Sequence, residues 1–234
     1  GEIFGLLGPN GAGKTTTLEC LEGLRRPTDG TLRVMGIDPA QDGRRLRDAI
    51  GVQLQTSGLP ETMRVEEAMR FFCAYHGIAP RTDLLDGMGL DAKLDAQYGT
   101  LSTGQQRRAM IARALVRMPE LLILDEPTAG LDLAGREHVL ATVDLILRHP
   151  EPPAVLMITH HVEEVPRQAS RVVLMRDGRI EDAGPPHQTL TPEKLTRAFG
   201  CKVYVRRVHG RYWTEVLPRS EERRVGKECF LLCR

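Results

Sequence analysis

The run Gly8-Pro-Asn-Gly-Ala-Gly-Lys-Thr15 constrains this chain more than any other feature. An apolar stretch, residues 3–7, precedes it, and Leu18, Leu21 and Leu24 follow at a spacing of three. This pattern predicts a strand, a glycine-rich loop and a helix over about Gly13–Leu24. A G-x-x-x-x-G-K-[ST] string in that setting is built for phosphate. Glycines let backbone N–H groups converge on an anion with no Cβ in the way. The helix N-terminus adds partial positive charge where the phosphates lie. Lys14 can reach the β- and γ-phosphates, and the Thr15 hydroxyl suits Mg²⁺. Asn10, Gly11, Ala12, Gly13, Lys14, Thr15 and Thr16 are therefore the candidate phosphate-binding residues. The loop selects a nucleoside triphosphate but not the machine that uses it.

Leu121–Leu124 is a second constraint: four apolar residues running into Asp125-Glu126-Pro127. A continuous apolar run suits a strand buried on both faces of a parallel sheet. Carboxylates at its C-terminal end lie where open α/β sheets bind ligands. Asp125 is the candidate for orienting the magnesium shell, and Glu126 for polarising an attacking water as general base.

Between these motifs stands Leu101-Ser-Thr-Gly-Gln105, followed by Gln106-Arg-Arg108. Ser102 reads as the N-cap of a helix over about Thr103–Val116. A Ser-x-Gly at a helix N-terminus is a second anion site. One nucleotide does not need two such sites from one chain, whereas a nucleotide held between two chains does. With this string in place, the sequence resembles the ATP-binding-cassette (ABC) ATPases. Gly8–Thr15 is similar to the family's Walker A, Leu101–Gln105 to its signature and Leu121–Glu126 to its Walker B. Ala129-Gly-Leu-Asp132 resembles the D-loop. The resemblance covers about residues 1–184. It departs from the family at Thr103, where the usual residue is Gly, while Ser102 and Gly104, the contact-making positions, are kept.

The resemblance implies two further site residues. Ile50-Gly-Val-Gln-Leu-Gln55 resembles the strand that ends in the Q-loop; Gln53 and Gln55 both compete for the role, and Gln55 fits the spacing better. Ala154–Thr159 reads as a buried strand ending in His160-His161, and His160 is the candidate for the family's switch histidine. His161 is expected to open the next helix. The implied fold is an α/β P-loop NTPase, a RecA-type core with a mostly parallel sheet and a helical ABC subdomain. The implied activity is hydrolysis of ATP with Mg²⁺. Each nucleotide would lie between Lys14, Thr15, Gln55, Asp125, Glu126 and His160 of one subunit and Ser102, Gly104 and Gln105 of another. The implied partners are a second ATPase subunit and a separate transmembrane permease, at the cytoplasmic face of a bacterial membrane. A cassette acting on ribosomes or DNA repair complexes is the rival of another class. Its members carry paired cassettes or long coiled coils, and this sequence has neither.

Val65, Met69 and Phe72 are spaced by about one turn, so the stretch from about 56 to 118 is expected to be the helical subdomain, with a partner surface near Thr56–Arg64. Helices are also expected over Ala134–Arg148 and Thr191–Phe199. Asp177-Gly178 and His209-Gly210 mark two hairpins, the second within an extension over about 185–217. The first half resembles cassettes of drug or lipid exporters, the second half cassettes of metal or molybdate uptake.

Composition narrows the partners. Lys+Arg 32 against Asp+Glu 31 gives a net charge of +1, and only five Phe, four Tyr and one Trp are present. Neither a polyanion-binding surface nor a base-stacking platform follows, and no direct nucleic-acid contact is expected. No apolar run approaches a membrane span. Both ends read as unusual. The chain opens at Gly1 on an apolar strand, which suggests a single domain over 1–217 that lacks its first strands, including an adenine-stacking aromatic. Arg219-Ser-Glu-Glu-Arg-Arg-Val-Gly-Lys-Glu-Cys229 reads as an in-frame translation of a sequencing-adapter oligonucleotide, so 218–234 is expected to be a non-native tail.

Overall fold

A computed structural model of the chain describes residues 2–56 and 58–216. Gly1, Ser57 and the expected tail at 218–234 lie outside the described residues.

The apolar runs form the strands β1 (Ile3–Leu7), β2 (Ile50–Gln53), β3 (Leu121–Asp125), β4 (Ala154–Thr159), β5 (Arg171–Arg176) and β6 (Arg179–Gly184). Among the described residues these make one sheet in the order β2-β3-β4-β1-β5-β6, parallel except for the β5–β6 hairpin. The register matters for function. Gln53 pairs with Leu124, Asp125 with Ile158, and Leu7 with Thr159. The C-terminal ends of four strands therefore finish side by side, and β1 delivers the glycine loop to their centre.

Helices cover both faces. Leu6, Ile123 and Ile158 face α1 (Lys14–Leu21) through Leu18. Leu122, Leu124 and Val155, on the opposite face, share a cluster with Met110 and Ile111 of α5 (Thr103–Leu115) and Val139 and Val143 of α6 (Leu133–Leu147). Alternate residues of β3 thus serve two cores, which is why the whole run is apolar. Leu122, Ile123 and Leu124 are each 0% exposed, and each such side chain contributes about 1.5–3 kcal/mol by leaving water.

The cluster on that second face extends into α3 (Val65–Tyr75), through Val65, Met69 and Cys73, and into α4 (Thr82–Gly87), through Leu85. The anticipated helical face is therefore present, with Phe72 partly buried under the Arg113 guanidinium, 5.5 Å from its ring centroid. Phe71 and Tyr75 point outward.

Beyond the sheet, α7 (Pro186–Thr189) and α8 (Pro192–Phe199) lead to a hairpin of β7 (Val203–Val208) and β8 (Arg211–Val216). Val203 and Tyr212 pack with Leu195 and Ala198 against Val172 and Leu174 of the main sheet.

Three local expectations change. The first helix stops at Leu21 rather than Leu24, because Gly23 turns left-handed at φ +74° and the Leu24 N–H bonds back to the Glu19 carbonyl. A helix not anticipated, α2 (Gly43–Ala49), forms behind the Asp42 cap and buries only Leu46, too little for an apolar period to be read. His161 is followed by a single 3₁₀ turn, Val162–Glu164, in place of a helix.

Candidate functional site

The loop after β1 closes on itself. Gly13, at φ +97°, caps α1 in a conformation that a Cβ would strain. The Lys14 ammonium folds back to donate to the carbonyls of Gly8, at 2.7 Å, and Pro9, at 3.1 Å. Its side chain is buried, and that burial lowers its pKa against the opposing pull of Glu126 and Asp125. Thr15 and Thr16, in the first turn of α1, remain exposed. Ala12 is buried behind the loop, its carbonyl accepting the Gly178 N–H at 3.0 Å.

Glu126 is the meeting point of this region. It follows β3 at φ +43°, a left-handed conformation that costs a non-glycine residue about 1–3 kcal/mol and occurs where surroundings impose it. The Ile158 carbonyl, accepting the Glu126 N–H at 2.9 Å, helps hold it there. Its carboxylate then collects groups from three other segments. Gln55 Nε2 donates to one oxygen at 2.9 Å. His160 Nδ1 lies 3.1 Å from the other oxygen, and Lys14 Nζ lies 3.9 Å from that same atom.

The two glutamines separate clearly. Gln53 ends β2, fully buried, with its amide nitrogen donating to the Leu54 carbonyl at 2.7 Å. Gln55 lies in the turn beyond, where its side chain is free to reach Glu126.

These residues surround a cleft of about 600 Å³, lined by Asn10, Gly11, Gly13, Lys14, Thr15, Thr16, Gln55, Glu126 and His160. Its size suits a nucleotide-scale ligand. Asp125, the last residue of β3 and the chain neighbour of Glu126, is 7% exposed; burial, and then Glu126, raise its pKa, while the Gln55 backbone N–H opposes the rise. A desolvated carboxylate of this kind gains from a cation. Among the described residues no group of three or more His, Cys, Asp or Glu forms a metal cage. One carboxylate, a threonine hydroxyl and a glutamine fit Mg²⁺, which takes few protein ligands and completes its shell with phosphate and water.

Ser102, Gly104, Gln105 and Asp132 are not among the residues that line this cleft. Ser102 caps α5 in a reciprocal box: its Oγ accepts the Gln105 N–H at 3.3 Å, and Gln105 Oε1 accepts the Ser102 N–H at 2.9 Å. Asp132 caps α6, accepting the Gly135 N–H at 2.7 Å.

The cleft also holds residues not anticipated from sequence. Thr128 brings a buried hydroxyl with no hydrogen-bond partner, and Arg136, His161 and Glu164 line the wall. Glu164 sits in a polar, charged stretch that reads as surface. It is 2% exposed, and its carboxylate accepts the Thr159 hydroxyl.

A family profile described as ABC transporter matches residues 1–129. The chain is 38% identical to Nod factor export ATP-binding protein I of Burkholderia orbicola over 209 residues, which is 87% of this chain and 66% of that protein. It is 36% identical to the protein of the same name from Rhizobium sp. strain N33, again over 87% of this chain and 66% of the relative. The chain thus spans 66% of the length of these curated relatives. Among solved structures, one of a metal-chelate type ABC transporter in an inward-facing conformation superposes with a TM-score of 0.75 at 26% identity, over 94% of this chain and 87% of that one. The structure of cbiO1 from Clostridium perfringens, part of the ABC transporter complex cbiONQ, superposes with a TM-score of 0.72 at 28% identity, over 84% of this chain and 82% of that one.

Proposed function

Because the chain belongs to the ABC transporter family, we propose that it is the ATP-binding and ATP-hydrolysing subunit of a transporter, working against a separate membrane permease. The observation that carries this reading is the convergence of Gln55, His160 and Lys14 on the Glu126 carboxylate, above the phosphate loop.

In this reading the Gly11–Thr16 backbone cradles the phosphates and Lys14 leaves its two loop carbonyls to meet the γ-phosphate. Thr15, Asp125 and Gln55 would hold Mg²⁺, which supplies charge neutralisation of the phosphates when bound. Glu126 accepts the proton of the attacking water, and Gln55 and His160 hold the carboxylate and the water in line. Ser102, Gly104 and Gln105 do not line their own cleft and are proposed to close the nucleotide site of a second copy, with Asp132 at the junction. That arrangement makes hydrolysis depend on dimerisation. The exposed residues Thr56, Glu61 and Arg64 belong to the segment proposed to meet the permease. Among the described residues no helix is long and apolar enough to cross a membrane, in keeping with a subunit that depends on such a partner. The relatives named for export support that direction.

The test is phosphate release from Mg²⁺-ATP. Glu126→Gln keeps the shape of the site and removes the base, so ATP binding should persist while turnover falls by about 10²–10⁴-fold. Turnover at the unmodified rate would remove Glu126 from its role.

A further inference from the structure

The β7–β8 hairpin contributes nothing to the cleft wall, yet it is fastened to both segments that leave it. In the turn behind His160, Glu163 Oε1 accepts the Thr214 backbone N–H at 3.0 Å and the Thr214 hydroxyl as well. Val162, which opens that turn, and Val165, which follows it, are buried in the same apolar cluster as Val203 and Tyr212 of the hairpin. The second fastening is Arg211, whose Nη1 donates to both carboxylate oxygens of Glu137, at 2.8 and 2.6 Å. Glu137 lies on α6 next to Arg136, which lines the cleft. Within the turn, Glu164 accepts the Thr159 hydroxyl, and Thr159 Oγ1 accepts the His161 N–H at 3.0 Å. Hydrogen bonds therefore hold both chain neighbours of His160.

The imidazole itself has little packing to lock it. Its side chain is 31% exposed, its polar contact is Glu126, and its ring neighbour is His161, 4.0 Å away between centroids. Its position thus depends on where the backbone on either side is held.

We infer that Glu163, anchored by Thr214 of the hairpin, is a positioning residue for His160, and that the hairpin is a brace fixing the imidazole against Glu126. This inference rests on the ATPase reading above, because positioning His160 has a kinetic consequence only if His160 serves hydrolysis.

The experiment compares the unmodified chain with Glu163→Ala, Glu163→Gln and Arg206→Ala, following Mg²⁺-ATP hydrolysis and the His160 ring resonances by NMR. The amide introduced by Glu163→Gln would still offer an oxygen to both Thr214 donors, whereas the Ala variant offers none. Arg206 is exposed and pairs with Glu215 of the same hairpin, at 4.0 Å, so its variant reports on the hairpin without the brace. Glu163→Ala should lower kcat about 3- to 30-fold, leave KM for ATP within about twofold and shift the His160 resonances. Glu163→Gln and Arg206→Ala should match the unmodified chain. A merely supportive role would lower Tm and the folded fraction without moving the His160 resonances of folded molecules. Unchanged kcat and resonances in Glu163→Ala, or equal impairment of the Gln and Ala variants, would overturn the inference while leaving the ATPase reading intact. Absence of hydrolysis by the unmodified chain would overturn the ATPase reading, and the NMR comparison would still decide whether the hairpin positions His160.

Discussion

At the scale of single residues, burial changes what a carboxylate can do. Asp125 and Glu126 are adjacent in sequence but face different surroundings. Asp125 is buried at the end of β3, its proton affinity raised by desolvation, while Glu126, in a left-handed backbone conformation, meets Gln55, His160 and Lys14. A third acid was not anticipated. Glu22, 5% exposed and with a side-chain oxygen that has no hydrogen-bond partner, has its pKa pushed up to about 7, first by burial and then by Asp125 and Glu19. The folded state therefore keeps a proton that the unfolded chain releases above its ordinary value of 4.5. Since the folded state binds more protons, stability falls as pH rises from about 4.5 through 7, by about 3 kcal/mol in total. Glu22→Gln cannot ionise. Its unfolding free energy should match that of the unmodified chain near pH 4.5 and exceed it increasingly up to pH 8. Denaturant titration across that range checks this, and a gap that does not widen would mean that Glu22 is ionised throughout.

At the scale of elements, the strong local signals were legible. The glycine loop, the apolar run into Asp125 and the Ser102 cap each carry their instruction within about ten residues, and β1, β3, β4 and α5 form where they were read. The weak ones were not: α2 has one buried residue and no stripe, so only packing against Val34 and Ile37 reveals it. The loop also shows why an element needs its neighbours. A Cβ on Gly8 would collide with the Met175 backbone oxygen of β5, which is not a flexible side chain that can step aside. Gly8→Ala should destabilise the fold by about 1–3 kcal/mol and weaken ATP binding together with it. A thermal melt and a nucleotide titration on the same sample test this; an unchanged melt would mean that β5 yields more readily than its backbone position implies.

At the scale of the whole molecule, the signature segment is the informative misfit. Ser102 and Gly104 sit at the start of a well-capped helix, outside the cleft that Lys14, Gln55, Glu126 and His160 line. If a second copy uses them, Ser102→Arg should leave ATP binding by the monomer intact and abolish the ATP-dependent dimer. In the Glu126→Gln background, where ATP is not consumed, light scattering reads this directly. A dimer that still forms with Arg at this position would sink the shared-site proposal.

By itself the sequence determined a triphosphate-binding loop, a buried parallel strand ending in acids and a capped helix, because each depends on short-range stereochemistry and on the period of apolar residues. The resemblance narrowed the remaining candidates to Gln55 and His160 without locating them. Tertiary structure decided the rest. Strand order and register bring Lys14, Gln55 and His160 to the Glu126 carboxylate, bury Glu22 and Glu164, and bring Thr214 to Glu163. These are contacts between segments far apart in the chain, and their energies depend on desolvation and packing that no local pattern encodes.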